Sequence, residues 1–206
     1  MKKSAFGFFS LILFITVAFS QEDVERLSNI YRGLTKTQQF MKAASQGNLD
    51  RITQLLESGL NINVRDTVNQ NYTALLWAIQ FKRKEAALFL IKRGANIHLA
   101  DKSGFQPIHI ASGKRLLSLV KVLVKNSASI HAKTKTGLTP LHCTGHIPLI
   151  EYFLSRGANI NVQTYDGVTP LMQAVEGKNL KLIKFLIDKG ANLRLKDKQG
   201  YTASSF

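Results

Sequence analysis

Gly157-Ala158-Asn159-Ile160-Asn161 (GANIN) decides the fold, because the chain repeats it. Its copies are GLNIN at 59–63, GANIH at 94–98, SASIH at 127–131 and GANLR at 190–194. Their first residues lie 35, 33, 30 and 33 positions apart. A second phrase precedes each later copy: NYTALLWAI at 71–79, GFQPIHIAS at 104–112, GLTPLHCT at 137–144 and GVTPLMQAV at 167–175. Self-similarity at this spacing means one supersecondary unit stacked on copies of itself, since a lone unit cannot bury its apolar face.

The residues of a unit make physical sense one by one. In Gly167-Val168-Thr169-Pro170-Leu171 the glycine permits a positive φ in a turn. Thr169 is placed to cap a helix, and Pro170 fits its first turn, where a missing N–H costs nothing. In Leu180-Lys181-Leu182-Ile183-Lys184-Phe185-Leu186-Ile187 the two lysines share one helical face, which predicts that the apolar remainder is buried between neighbours. Gly190 follows as a left-handed C-terminal cap, with basic Lys189 beside it.

Period and phrases together resemble the ankyrin repeat, a β-turn followed by two antiparallel helices. The resemblance covers Gln38 to the C-terminus. It implies an all-α fold, an ankyrin-like solenoid of helix-turn-helix repeats with β-turn or hairpin connections. Repeats are expected at 38–65, 66–100, 101–133, 134–163 and 164–196, with a partial sixth at 197–206. The second carries two extra residues in its turn, and Asn71 where glycine is usual. Residues 21–37 are expected to form an amphipathic helix and linker that caps the stack, since Val24, Leu27, Tyr31 and Leu34 make one stripe. At the other end the short sixth repeat is expected to leave part of the fifth repeat's apolar face open.

The fourth repeat is the irregular one. Aligned with its siblings it lacks three residues after Cys143-Thr144, so its first helix is expected to be nearly one turn shorter, leaving a notch. His142, Cys143 and His146 lie close together there, as metal ligands would. They have ordinary readings, however. His142 matches His109 and, by the resemblance, holds its turn by hydrogen bonds, while His146 stands at a polar helix start. Two or three ligands without a partner cluster give no metal site, and none is expected.

Composition sets the class. The chain has 206 residues, 45% of them apolar, which favours folding over disorder. Its one cysteine allows no internal disulfide. Met1-Lys2-Lys3 is followed by an uncharged run from Ser4 to Phe19, small residues around Phe19, and then acidic Glu22-Asp23. That order fits a signal peptide over 1–20 and predicts an exported chain, periplasmic or secreted. The competing reading is an uncleaved membrane anchor, although the run is short against the roughly 20 residues of a span. Loss of Lys2 and Lys3 with the leader lowers the net charge of +15 by two, to +13.

No catalytic constellation is present: no GxSxG, P-loop, HExxH or glycine-rich dinucleotide turn. The expectation is a non-enzyme without cofactor. Ankyrin-like arrays bind partners with turn tips and first helices, and the resemblance carries that surface onto Phe81, Lys82, Lys102, Phe105, Lys114, Lys133, Lys135, Leu138, Tyr165 and Val168. Tyr and Phe suit interface anchors, and lysines around them would steer an acidic protein. Nucleic acid is not expected, there being no motif for it. The alternative partner is an anionic membrane or envelope polymer. A third reading places hydrolase or redox chemistry in the notch at Cys143 and His146. The sequence sets no oligomeric state.

Overall fold

The computed structural model describes residues 34–205. The expected leader and most of the expected capping helix lie outside them. Nine helices are present among the described residues, with one small sheet. Helix α1 (Lys36–Gln46) pairs with α2 (Leu49–Glu57). Strands β1 (Arg65–Asp66) and β2 (Tyr72–Thr73) then form an antiparallel hairpin, Arg65 opposite Thr73 and Asp66 opposite Tyr72. Helix pairs α3 (Ala74–Gln80) with α4 (Lys84–Lys92), and α5 (Pro107–Gly113) with α6 (Leu117–Lys125), follow. Helix α7 (Ile147–Ser155) stands without a helical partner, and α8 (Pro170–Glu176) with α9 (Leu180–Asp188) completes the order.

Each first helix starts where its residues dictate. Thr35 caps α1 in a capping box with Gln38. The Thr73 and Thr169 hydroxyls accept from the amides of Leu76 and Met172 at 3.3 and 3.2 Å. Pro107 and Pro170 occupy first turns, as expected. The second helices bury the same two or three positions: Ala86, Ala87 and Leu90; Leu119, Val120 and Leu123; Leu149, Ile150 and Phe153; Leu182 and Leu186. First helices supply the facing layer, with Leu75, Leu76, Ile79, Ile108 and Leu171 buried, and Leu141 joins it from a turn.

The two sequence phrases turn out to be two ladders. In the turns, the Lys102 amide donates to Gln70 O (2.9 Å), Lys135 to Ser103 O (3.0 Å), Tyr165 to Thr136 O (3.1 Å) and Lys198 to Asp166 O (2.8 Å). The turn glycine permits this approach: a Cβ on Gly137 would stand 2.5 Å from the Tyr165 amide nitrogen. In GANIN, the Asn159 side chain accepts from the Asn161 amide, and Asn161 Oδ1 accepts from the Asn192 amide of the next repeat at 2.7 Å. Asn63 does the same for Asn96 at 2.8 Å. His98 and His131 stand at that second position in their copies, so they belong to the repeat.

Two expectations need correction. The first helix of the fourth repeat is lost rather than shortened by a turn. Residues 140–143 form a single turn, in which the His142 and Cys143 amides both reach Thr139 O. With three residues gone, too few remain for a second turn of helix. In α9, Lys181 and Lys184 are exposed as expected, but Leu180 is 78% and Ile187 40% exposed as well. Within residues 34–205 no further helix pair covers that end, and Leu193 and Tyr201 are also exposed. This is the open apolar face that the short sixth repeat predicts.

Candidate functional site

A groove of about 540 Å³ runs between the turn tips and the first helices. Tyr72, Phe105, Ile110 and Leu138 supply its apolar floor, with Gln70, Gln80, Gln173 and Lys114 around them. Its carboxylate, Asp101, is committed to its own turn: Oδ1 accepts from the Ser103 and Phe105 amides at 2.9 and 2.8 Å. A smaller hollow of about 320 Å³ adjoins it and shares Gln70, Tyr72 and Gln80. There Trp77 stacks on Phe81 at 5.5 Å and takes the edge of Tyr72 at 5.3 Å. Phe81 is 48% and Val68 75% exposed, so the hollow ends in an apolar ledge.

The expected contact residues divide into groups. Phe105, Lys114 and Leu138 line the groove together, and Phe81 forms the ledge with Lys82 next in the chain. Lys102 and Lys135 stand exposed at adjoining turn tips. Tyr165 and Lys133 make a separate pair, the ammonium 5.2 Å from the ring centre, and neither lines the groove. Val168 is half-buried, its carbonyl taken by His142. Phe105 is half-buried too, its ring edge-on to His109 at 6.0 Å, so it is part of the floor rather than a protruding anchor.

Sequence reasoning missed Trp77, Tyr72 and the three glutamines. Trp77 was within reach, because it precedes Phe81 by four residues and therefore shares its helix face. Tyr72 depends on the hairpin. The two extra residues there place Gln70 and Asn71 at φ 53 and 63, which turns β2 back beside α3.

The notch exists as a second cavity, of about 310 Å³, on the other side of the short turn. It is lined by Leu141, Ile150, Leu182 and Leu186 below, with Thr144, Gly145 and Asn179 at its edge. Cys143 borders both cavities, and burial pushes its thiol up to about 12, so it is no nucleophile near neutrality. Among the described residues no three His, Cys, Asp or Glu side chains are placed to hold a metal ion. His109 and His142 are committed to structure. His109 Nδ1 accepts from the Gln106 amide, and its Nε2–H donates to Ala132 O at 2.9 Å. His142 Nδ1 accepts from Thr139, and its Nε2–H donates to Val168 O at 3.2 Å. Burial lowers the pKa of both, which keeps them neutral.

A family model described as ankyrin repeats matches the chain in three overlapping copies, over residues 22–101, 40–134 and 108–197. The chain belongs to the ankyrin repeat family. Ankyrin repeats are in general protein-interaction modules, which agrees with a groove built from turn tips and first helices. Among curated ankyrin proteins it is similar to the putative ankyrin repeat protein YahD of Escherichia coli (strain K12), with 28% identity across 79% of this chain and 85% of that one. It is 31% identical to a putative ankyrin repeat protein of fowlpox virus (strain NVSL), over 56% of this chain and 82% of the viral protein. It is also 28% identical to an L-asparaginase of Dirofilaria immitis, across 73% of this chain but only 26% of the enzyme. Among the described residues no helix is long and apolar enough to cross a membrane.

Proposed function

We propose that this chain is an exported, non-catalytic binding module that docks an acidic protein on the face formed by its turn tips and first helices. The observation that carries this is the groove over Tyr72, Phe105 and Leu138, continuous with the Trp77–Phe81 ledge, with Lys114 in its lining and Lys82 and Lys102 next in the chain to lining residues. Lys82, Lys102, Lys114 and Lys135 make no ion pair among the described residues, so their charge is open to a partner. Opposite charge on that partner speeds encounter, and the aromatic ledge supplies the desolvated contact. Export rests on the leader-like run up to Ser20. That reading starts the mature chain at Gln21, one residue before the ankyrin match begins.

The test uses the mature chain from Gln21 with a photo-crosslinker at Phe81, and at Lys121 on a second helix. Crosslinks to one acidic protein from Phe81 alone are expected. Crosslinks from Lys121 instead would move the docking face, and full-length 1–206 chain expressed in an exporting host and recovered with its N-terminus at Met1 would remove the signal-peptide cleavage.

A second reading draws on the exposed lysines of the second helices, Lys121, Lys125, Lys181 and Lys184, which would suit an anionic membrane or polymer. Vesicle sedimentation at low salt separates the two, since the docking reading expects the chain to stay in the supernatant.

A further inference from the structure

We infer that the groove is a peptide site: it takes an extended, acidic segment of the partner, with one apolar side chain on the ledge and a second over the floor. This rests on the docking reading above and narrows it.

The argument starts from hydrogen-bonding capacity. The side-chain amides of Gln70, Gln80 and Gln173 make no hydrogen bond among the described residues, yet all three stand around an apolar floor. A carboxamide offers both a donor and an acceptor, which is what the alternating N–H and C=O groups of an extended backbone require. A folded partner face would satisfy its own backbone and leave these amides without matching partners. An extended segment brings unpaired backbone groups to each of them.

Size and spacing agree. Two first helices packed side by side lie about 8–10 Å apart, and an extended chain rises about 3.3 Å per residue. A segment running across the repeats therefore spends about three residues on each. It passes the Trp77–Phe81 ledge, then the floor over Phe105 and Leu138, and so carries two apolar residues about three positions apart. Charge sets the rest. Asp101 is occupied by its own turn amides, whereas Lys102 and Lys114 have no carboxylate partner. Aspartate or glutamate flanking the apolar residues would meet those ammonium groups.

The test is selection from a phage-displayed library of random peptides on the immobilised mature chain, followed by titration of a synthetic selected peptide. Selected peptides should be net acidic, with two apolar residues about three apart. The double substitution Lys102→Glu, Lys114→Glu should weaken binding by about tenfold or more without lowering the melting temperature. Gln173→Ala should weaken it less. Raising salt from about 0.1 to 1 M, which shortens the screening length from about 10 to 3 Å, should weaken it as well. Neutral or basic selected peptides, no enrichment at all, or equal affinity for the double variant would each overturn the peptide site. So would a dimer in sedimentation that the double substitution dissolves, because a second copy would then fill the groove. A protein partner crosslinked from Phe81 with no peptide selected would leave the docking module standing and remove only the extended segment.

Discussion

His142 donates through Nε2 to the carbonyl of Val168, 3.2 Å away, while its Nδ1 accepts from Thr139. One imidazole thus closes the turn of the fourth repeat and ties it to the fifth. His109 closes the turn of the third repeat in the same way, but its Nε2 donates to Ala132 at the end of that same repeat. Both jobs need the neutral ring with its proton on Nε2, because Nδ1 must stay an acceptor.

Acid should therefore weaken the fold. The ordinary histidine value is 6.5, and burial lowers both groups below it in the folded protein. Between the two values the unfolded chain holds more protons, so stability rises with pH there. The contribution is complete above 6.5 and is lost as pH falls through the folded values. Urea midpoints should drop from about pH 7 to about pH 5, and a His109→Asn, His142→Asn double variant should show a flatter profile.

The two kinds of glycine should respond differently to alanine. Gly137 and Gly157 both have positive φ, at 84 and 88. A Cβ on Gly157 meets nothing within 4 Å, whereas on Gly137 it meets the Tyr165 backbone. Gly157→Ala should cost about 1 kcal/mol from conformation alone. Gly137→Ala should cost at least about 2 kcal/mol, since the turn ladder must also part. Chemical denaturation of the two variants checks the ranking, and equal costs would contradict the stacked turns.

Ser127 stands where four other copies carry glycine, and it has φ 73 while Asn126 stays at −93. The strain is thus on the serine, as the repeat alignment implies. Ser127→Gly should raise stability by about 1 kcal/mol. An unchanged unfolding midpoint would mean that the serine pays no strain there.

Cys143 should be chemically quiet. With its thiol pushed up to about 12, alkylation by iodoacetamide in native buffer should run at least about a hundredfold slower than in urea. Cys143→Ser should bind a Phe81-crosslinked partner as well as the parent does. Rapid native alkylation would reopen the notch as a place for chemistry.

Much of the fold was legible because the signal is repeated. Glycine, threonine and proline at fixed offsets specify a turn and a helix start, and GANIN specifies the loop after the second helix. Each copy supports the others. The fate of the fourth repeat's first helix was less legible, since a count of missing residues does not say whether the remnant still closes a helix. The outward positions of α9 were partly legible: the short sixth repeat points to an open face, but not to the residues that lie on it. Leu180 and Ile187 have the pattern of covered residues, and only the neighbour decides whether they are covered. The groove was half legible. Phe105, Lys114 and Leu138 follow from the repeat positions, but Trp77 and Tyr72 come together only through the enlarged hairpin, a local departure from the period.

The lost helix of the fourth repeat also sets where the array is weakest under load. Ile147–Ser155 has a single turn where its siblings have an inner helix, with a cavity on either side of that turn. In a linear array, each unit is held only by those beside it. Pulled from its ends, the protein should part at this seam first, separating residues 34–133 from residues 164–205. The peptide groove reaches across the seam, from Gln70 to Gln173, so an occupant would act as a splint.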